Sequence, residues 1–220
     1  MATGEALIEL FHMNPVDMTV PYRWNDLTVL RWLNESQREA CIRSELIIDT
    51  TTSDVCEISV STGVASYVVN DLVVKLNGAF LVTDGTTKQL EIYDREEATR
   101  IFPEWRTTSD TPTGVILEGK NIILNRIPIA DSTLKLEVAR LPMEDITVST
   151  SPEIQSIHHE ALVDWALYRA HLVEDDDEDQ PRGRWKKYLD RFESYFGKRP
   201  NVDLRRKTEV NRPHRTKAWW

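Results

Sequence analysis

The spacing of apolar residues changes twice along this sequence, from helical to strand-like and back to helical. In residues 25–47 apolar side chains recur every three or four positions, and Asn25 or Asp26 can cap the helix start. In residues 55–149 they alternate with polar side chains, which is typical of β-strands with one buried face. The helical spacing returns at Pro152. We therefore expect an α+β fold in which one β region interrupts a helical one.

The region after Pro152 predicts two helices joined by a short loop. The first helix carries one apolar stripe, formed by Ile154, Ile157, Ala161, Trp165, Tyr168 and Leu172. The second starts near Pro181, a residue suited to the first turn, and ends at Gly197, which can adopt a left-handed cap. Its stripe consists of Trp185, Leu189, Phe192 and Phe196. Two such helices form an αα-hairpin.

Turn signals divide the β region into short strands. Asn77-Gly78, Asp84-Gly85 and Gly119-Lys120 are each expected to form tight turns, so the region should be an antiparallel sandwich or barrel. Asp94 with Glu97 three residues later forms a capping-box pattern, and Pro103 follows, which predicts one short helix at an end of the sheet.

These elements divide the chain into four segments. Residues 1–52 hold an N-terminal segment and the first bundle helix, and residues 53–150 form an inserted β lobe. Residues 151–197 form the αα-hairpin that completes the bundle, and residues 198–220 form an extended basic tail. The helical bundle is therefore expected to be discontinuous in sequence.

Charge is distributed unevenly between the tail and the rest of the chain. Residues 198–220 contain eight Lys or Arg against Asp203 and Glu209, a net charge of +6. The other residues hold 19 basic and 34 acidic side chains, a net charge of −15. We expect neither a membrane span nor a signal peptide, since there is no long apolar run. The only cysteines, Cys41 and Cys56, are expected to be reduced thiols.

Two stretches invite a metal-site interpretation, and both lack required ligands. His158, His159 and Glu160 begin like a zinc-protease helix, but Val163 occupies the position of the second histidine. The acids 174–179 resemble a calcium loop whose glycine and closing glutamate are replaced by Gln180 and Lys186. Motifs for a nucleotide cradle or a serine nucleophile are also missing. We expect no enzyme activity and no cofactor, and keep a metal-dependent hydrolase as a minor alternative.

The basic tail permits three interpretations: contact with nucleic-acid phosphates, docking on an acidic protein surface, or a solvated end. Its prolines and lack of periodicity favour an extended strap. Trp219 and Trp220 lie beyond any expected packed element and suit anchors for a partner.

The order of these features resembles a known family. A helix containing YRWNDLTVLRWLNESQREACIR is followed by a β lobe with REEATRIFPEW and ILNRIPIADSTLKLEVARLP. The hairpin HHEALVDWALYRAHLVEDDDEDQPRGRWKKYLDRFESYFGKRP and a basic end then complete the chain. From about Tyr22 to Arg206 the sequence resembles the head-to-tail adaptor, or connector, proteins of tailed bacteriophages.

The resemblance implies a structural virion protein of the neck, assembled in the host cytoplasm. Such proteins form a homo-oligomeric ring, expected here to have twelve subunits, beneath the portal protein, and genomic DNA passes through the ring to a tail or nozzle protein. The residues that would hold the ring's helical annulus are Trp24, Leu30, Leu33, Trp165, Tyr168, Trp185 and Phe192. The residues that would contact the portal are Arg199, Arg205, Arg206, Lys207, Arg212, Arg215, Trp219 and Trp220. Alternatives are another neck or tail-completion protein, or a nucleic-acid-binding module acting through the tail.

Overall fold

The computed structural model describes residues 2–14, 20–174 and 183–200. Within them the helices are α1 (Gly4–His12), α2 (Asp26–Ser44), α3 (Ser53–Cys56), α4 (Arg95–Ile101), α5 (Leu162–Glu174) and α6 (Arg184–Phe196). The strands are β1 (Ile48–Asp49), β2 (Glu57–Val60), β3 (Ser66–Val68), β4 (Val73–Thr83), β5 (Thr86–Tyr93), β6 (Gly114–Glu118), β7 (Asn121–Leu124) and β8 (Ser132–Arg140). The expectation of an α+β fold is confirmed.

The strands form one curled, mixed sheet in the order β1-β8-β4-β5-β6-β7-β3, with β2 also paired to β8. Every pairing between two of these strands is antiparallel except that of β5 with β6, which is parallel. The prediction of a purely antiparallel lobe is therefore wrong at this pair. The reason is α4, which lies between the two strands in sequence and belongs to the crossover that two parallel neighbours require.

Two of the three predicted turns are confirmed. Asp84-Gly85 joins β4 to β5, with φ of 49° and 78° at its two residues, and Gly119-Lys120 joins β6 to β7. Asn77-Gly78 is no turn but lies inside β4, where the pairing with β8 shifts register between Leu76 and Gly78. The extra residue is accommodated as a bulge because β4 continues along β8 on both sides of it.

The helical part differs from the prediction at two places, α1 and the start of α5. α1 was not predicted, although Thr3 caps it by accepting a hydrogen bond from the backbone N–H of Ala6. α5 begins at Leu162 rather than near Pro152. Residues 150–161 form an irregular segment with one 3-10 turn, in which Ile157, a member of the predicted apolar stripe, is 69% exposed. α6 begins at Arg184, and the predicted start near Pro181 lies outside the described residues. The expected cap of α2 at Asn25 is confirmed.

Two main hydrophobic cores hold the fold. One lies among α1, α2, α5 and α6, and the other lies on the sheet, with a small satellite around Trp105. The segment between β8 and α5, residues 141–161, connects them. It contributes Ile146 and Ile154 to the helical core, and its carbonyls at Val148 and Thr150 accept hydrogen bonds from the first turn of α1.

Candidate assembly surfaces

A buried ion-pair network joins the sheet to the helical part. Nε of Arg140, at the end of β8, donates to Oδ2 of Asp49 in β1 at 2.6 Å, and its NH2 lies 2.6 Å from Oε1 of Glu153. The backbone N–H of Glu153 in turn donates to the side chain of Gln37 in α2 at 2.8 Å. The side chains of Arg140 and Asp49 are 8% and 5% exposed. This network fixes the sheet relative to α2.

The network controls the protonation of its members. Burial alone would raise the pKa of Asp49, but hydrogen bonds from Thr51, Thr52 and Arg140 outweigh it and hold that pKa well below its ordinary value. Burial alone would lower the pKa of Arg140, and the hydrogen bonds and charges of Glu153 and Asp49 raise it instead. Both groups are therefore charged throughout the ordinary pH range.

A second buried cation, Arg43 of α2, holds the end of α6. Its guanidinium lies over the rings of Phe192 and Trp165, at 5.1 and 5.3 Å from their centroids. NH1 donates to the carbonyl of Gly197 at 3.1 Å, and the side chain of Arg43 is 4% exposed. The neighbouring Ser44 hydroxyl donates to the carbonyl of Phe196 at 2.7 Å. We call Arg43 and Ser44, with these contacts, the tail-root clamp.

The clamp sets the point from which the basic tail leaves the bundle. Arg199, the one predicted tail residue among those described, has its side chain 65% exposed and lies 3.5 Å from Glu39 of α2. The other predicted portal contacts lie outside the described residues: Arg205, Arg206, Lys207, Arg212, Arg215, Trp219 and Trp220.

The residues predicted for the annulus lie mainly in the subunit's own core. Leu30, Leu33, Trp165 and Phe192 are buried there, while Trp24 and Tyr168 are partly buried against it. Trp185 was expected in the core but is only half-buried, with its ring 6.1 Å from that of Tyr168. Their role in an annulus remains a prediction. The four buried side chains pack within their own subunit, so they could support an annulus only by stabilising the helical bundle of that subunit.

Trp32 also belongs to the helical core: it is 7% exposed and packs against Phe11 and Trp24. The unpredicted helix α1 supplies Phe11 and covers this face of α2.

The three histidines in and just before α5 have structural surroundings. Nε2 of His159 lies 2.9 Å from the carbonyl of Ile154, and the ring of His158 lies beside those of Tyr195 and Phe196. His171 stacks on Tyr188. In the parts of the chain that the structure describes, no three His, Cys, Asp or Glu side chains are grouped so as to hold a metal ion. The calcium-like acid run falls in the segment that begins at residue 175 and is not described.

Both cysteines are free and buried. Burial, with the nearby charge of Glu153, raises the pKa of Cys41 to about 12, and burial, with the charge of Asp49, raises that of Cys56 to about 11. These thiols are therefore unreactive at neutral pH. Cys41 lies in the helical core and has the role of a small core residue.

Sequence reasoning missed Arg43 and the Asp49–Arg140 pair. Asp49 and Arg140 are separated by 91 positions, and no periodicity reports such a pairing. The only local signal was the stretch Asp49 to Thr52, in which a carboxylate can accept hydrogen bonds from the backbone two and three residues later.

Among the described residues, a buried ion-pair network thus joins the sheet to the helices, and the tail-root clamp holds the end of α6 from which the charged tail continues. Both contacts suit a structural assembly protein. A comparison with family models matches residues 6–217 to the family described as SU10 adaptor protein. The chain belongs to this family, and is therefore a structural adaptor of a bacteriophage virion, located in the neck. A search of curated proteins found no match. Among the described helices, none is long and apolar enough to cross a membrane.

Proposed function

We propose that this protein is a head-to-tail adaptor whose copies form a ring beneath the portal protein and pass genomic DNA towards the tail. Family membership supports the role of adaptor. The observation that carries the proposal to a portal-bound adaptor is the tail-root clamp. The clamp holds the end of α6, from which the tail continues, and the tail's net charge of +6 suits docking on an acidic surface of a second protein.

Each segment has a proposed role. The helical segments 1–52 and 151–197 build the annulus, and the tail 198–220 contacts the portal through its arginines, Lys207 and terminal tryptophans. The inserted lobe 53–150 meets the tail or nozzle protein. The ring has twelve subunits and is assembled in the host cytoplasm without a membrane step. Most of the acidic charge lies outside the tail, so a channel lined by the body would not hold passing phosphates tightly.

Native mass spectrometry of the chain with purified portal protein tests this proposal. The full chain should form a ring on the portal, whereas a variant with Arg205, Arg206 and Lys207 changed to Gln should bind the portal at least tenfold more weakly. The matched control changes three exposed lysines of the lobe to Gln and should bind like the full chain: Lys88, Lys120 and Lys135. A wild-type chain that stays monomeric and ignores the portal contradicts the proposal.

The net charge of the tail also favours a second candidate, a nucleic-acid-binding module. In that case the free chain should bind duplex DNA without the portal, with an affinity that falls steeply with salt and is lost on removing residues 198–220. Electrophoretic mobility shifts at 50 and 200 mM salt measure this. DNA binding that survives removal of the tail contradicts the module.

A further inference from the structure

The outward face of α1 is acidic. Leu7, Ile8 and Phe11 point into the core, which leaves Glu5 and Glu9 exposed one turn apart. Neither carboxylate forms an ion pair with any described residue. The same stripe continues to Met13, which is 67% exposed. We call Glu5, Glu9 and Met13 the acidic stripe.

The outward face of α6 is basic and has the same spacing. Lys187, Arg191 and Tyr195 follow one another at intervals of four residues and are all exposed. Arg191 lies 3.3 Å from Asp164, while no ion pair of Lys187 occurs among the described residues. Lys186 adds a further exposed positive charge beside the stripe, and the exposed Asp190 partly offsets it. We call Lys187, Arg191 and Tyr195 the basic stripe.

The two stripes belong to different flanks of the bundle. α1 packs on the N-terminal half of α2, where Phe11 meets Trp32, and the end of α6 packs on the C-terminal end of α2 through the tail-root clamp. α1 and α6 do not form a packed pair with each other. The stripes therefore do not pair within one chain. Two different, complementary patches on one chain define a head-to-tail contact, the kind from which closed rings are built.

We propose that the acidic stripe of one copy packs against the basic stripe of the next copy. The proposal rests on the proposed function, since it names the surfaces through which the ring would form. Eight residues of helix extend about 12 Å, so both stripes have the same length and present two charges followed by one large apolar side chain. Exposed ion pairs contribute little affinity but fix orientation and exclude like-charged contacts. Met13 and Tyr195, exposed in the single chain, would be covered at the contact.

Charge reversal tests the contact. When the two stripes are aligned from their N-terminal ends, Glu5 faces Lys187 and Glu9 faces Arg191. Variant A carries Glu5→Lys and variant B carries Lys187→Glu; Glu9 and Arg191 are left unchanged because Arg191 contacts Asp164. Each variant alone sets like charges against each other and should need at least a tenfold higher concentration than wild type to assemble. An equimolar mixture of A and B restores opposite charges at every contact and should assemble like wild type, with A and B in equal numbers.

Native mass spectrometry of A, B and the mixture gives the readout, and circular dichroism verifies that each variant is folded. The matched control for A is Glu96→Lys, which reverses one exposed glutamate of the β region and should assemble like wild type. If A or B assembles like wild type, or if the mixture does not recover, the contact is wrong while the proposed function stands. A wild-type chain that never assembles contradicts both.

A cross-link provides a second measurement that does not depend on charge. Glu5→Cys in one chain and Lys187→Cys in another should form a disulfide between the two chains on mild oxidation of the assembled protein. The native thiols are buried and should not compete. A Glu96→Cys chain should give no such product with Lys187→Cys. Assembled protein in which Glu5→Cys and Lys187→Cys stay unlinked contradicts the contact.

Discussion

Gly4 lets α1 approach the segment that joins β8 to α5. A Cβ at this position would overlap the carbonyl oxygen of Thr147 and press on Ile146, because the backbone N–H groups of Gly4 and Glu5 already donate to Thr150 and Val148. The glycine is thus required by a close backbone contact rather than by an unusual φ. It allows the N-terminal end of the first helix to contact this segment, while Phe11 packs the same helix on α2.

Gly4→Ala should lower the free energy of unfolding by about 1–3 kcal/mol, as expected when an extra carbon is forced into a packed contact. Urea denaturation measures the change. Glu5→Ala, one residue later and exposed, is the control and should change it by no more than about 0.5 kcal/mol. Equal stability of Gly4→Ala and wild type would show that this contact is loose.

Asp49→Asn should destabilise the fold by about 3 kcal/mol at neutral pH, because it leaves the buried Arg140 with one carboxylate instead of two. The control is Asp71→Asn, which breaks an ion pair with Lys120 whose side chains are more than 70% exposed, and should cost less than about 1 kcal/mol. Chemical denaturation distinguishes the two. Similar losses in both variants would contradict the structural role of the buried pair.

The same pair predicts a pH dependence. The folded state lowers the pKa of Asp49 relative to its ordinary value of 3.8, so its contribution to stability is complete above that pH. As pH falls below 3.8 the unfolded chain takes up the proton first, and the contribution is lost. The stability difference between wild type and Asp49→Asn should therefore narrow from pH 5 to pH 3, and an unchanged difference would contradict the lowered pKa.

At the scale of elements, the tail-root clamp predicts that α6 loses its anchor when Arg43 is removed. Arg43→Ala should cost about 3 kcal/mol, since Glu39 and the carbonyl of Gly197 lose a buried partner. Arg43→Lys keeps the charge but not the planar fork and should recover only part of the loss. Denaturation gives the stability, and hydrogen exchange at residues 193–197 should rise in both variants.

The control for this clamp is Arg38→Ala on the same helix. Arg38 is 53% exposed and pairs with the equally exposed Asp145, so its loss should stay below about 1 kcal/mol. Faster exchange at residues 193–197 in Arg38→Ala would mean that α2 as a whole, and not Arg43, holds α6.

The sequence predicted correctly those turns and helix caps that depend only on residues close together in the chain. Asp84-Gly85 and Gly119-Lys120 form two-residue turns because their flanking strands pair at once, and Asp94 caps α4 through the N–H of Glu97. Asn77-Gly78 has the same local signal, but pairing of β4 with β8 on both sides overrides it. Pro152 suggested a helix start, yet Gln37 and Arg140 hold Glu153 in an irregular segment.

At the scale of the whole molecule, the four-segment division predicts that the tail does not stabilise the folded body. The helical core and the clamp are complete by Arg199, so a chain ending at residue 200 should unfold within about 0.5 kcal/mol of the full chain. Thermal unfolding of both forms measures this. A large loss in the shorter chain would show that the tail packs on its own body.

The sequence indicated the assembly role through the order of its segments and the charge of its tail. Both can be read from the sequence without knowing how the chain folds. It did not reveal which helix faces are outward, because exposure of Glu5 and Glu9 depends on α1 packing against α2. Nor did it reveal the clamp, in which Arg43 meets residues about 150 positions away.

The clamp also changes how the tail can find a partner. Because Gly197 and Phe196 are held, the 20 residues after position 200 start from one fixed point and can reach at most about 70 Å from it. In the proposed ring, docking of one copy would keep its neighbours' tails within that distance of the partner, at an effective concentration of the order of millimolar. Contacts that are individually weak and reversible would then together be enough for a long-lived attachment of the proposed ring to its partner.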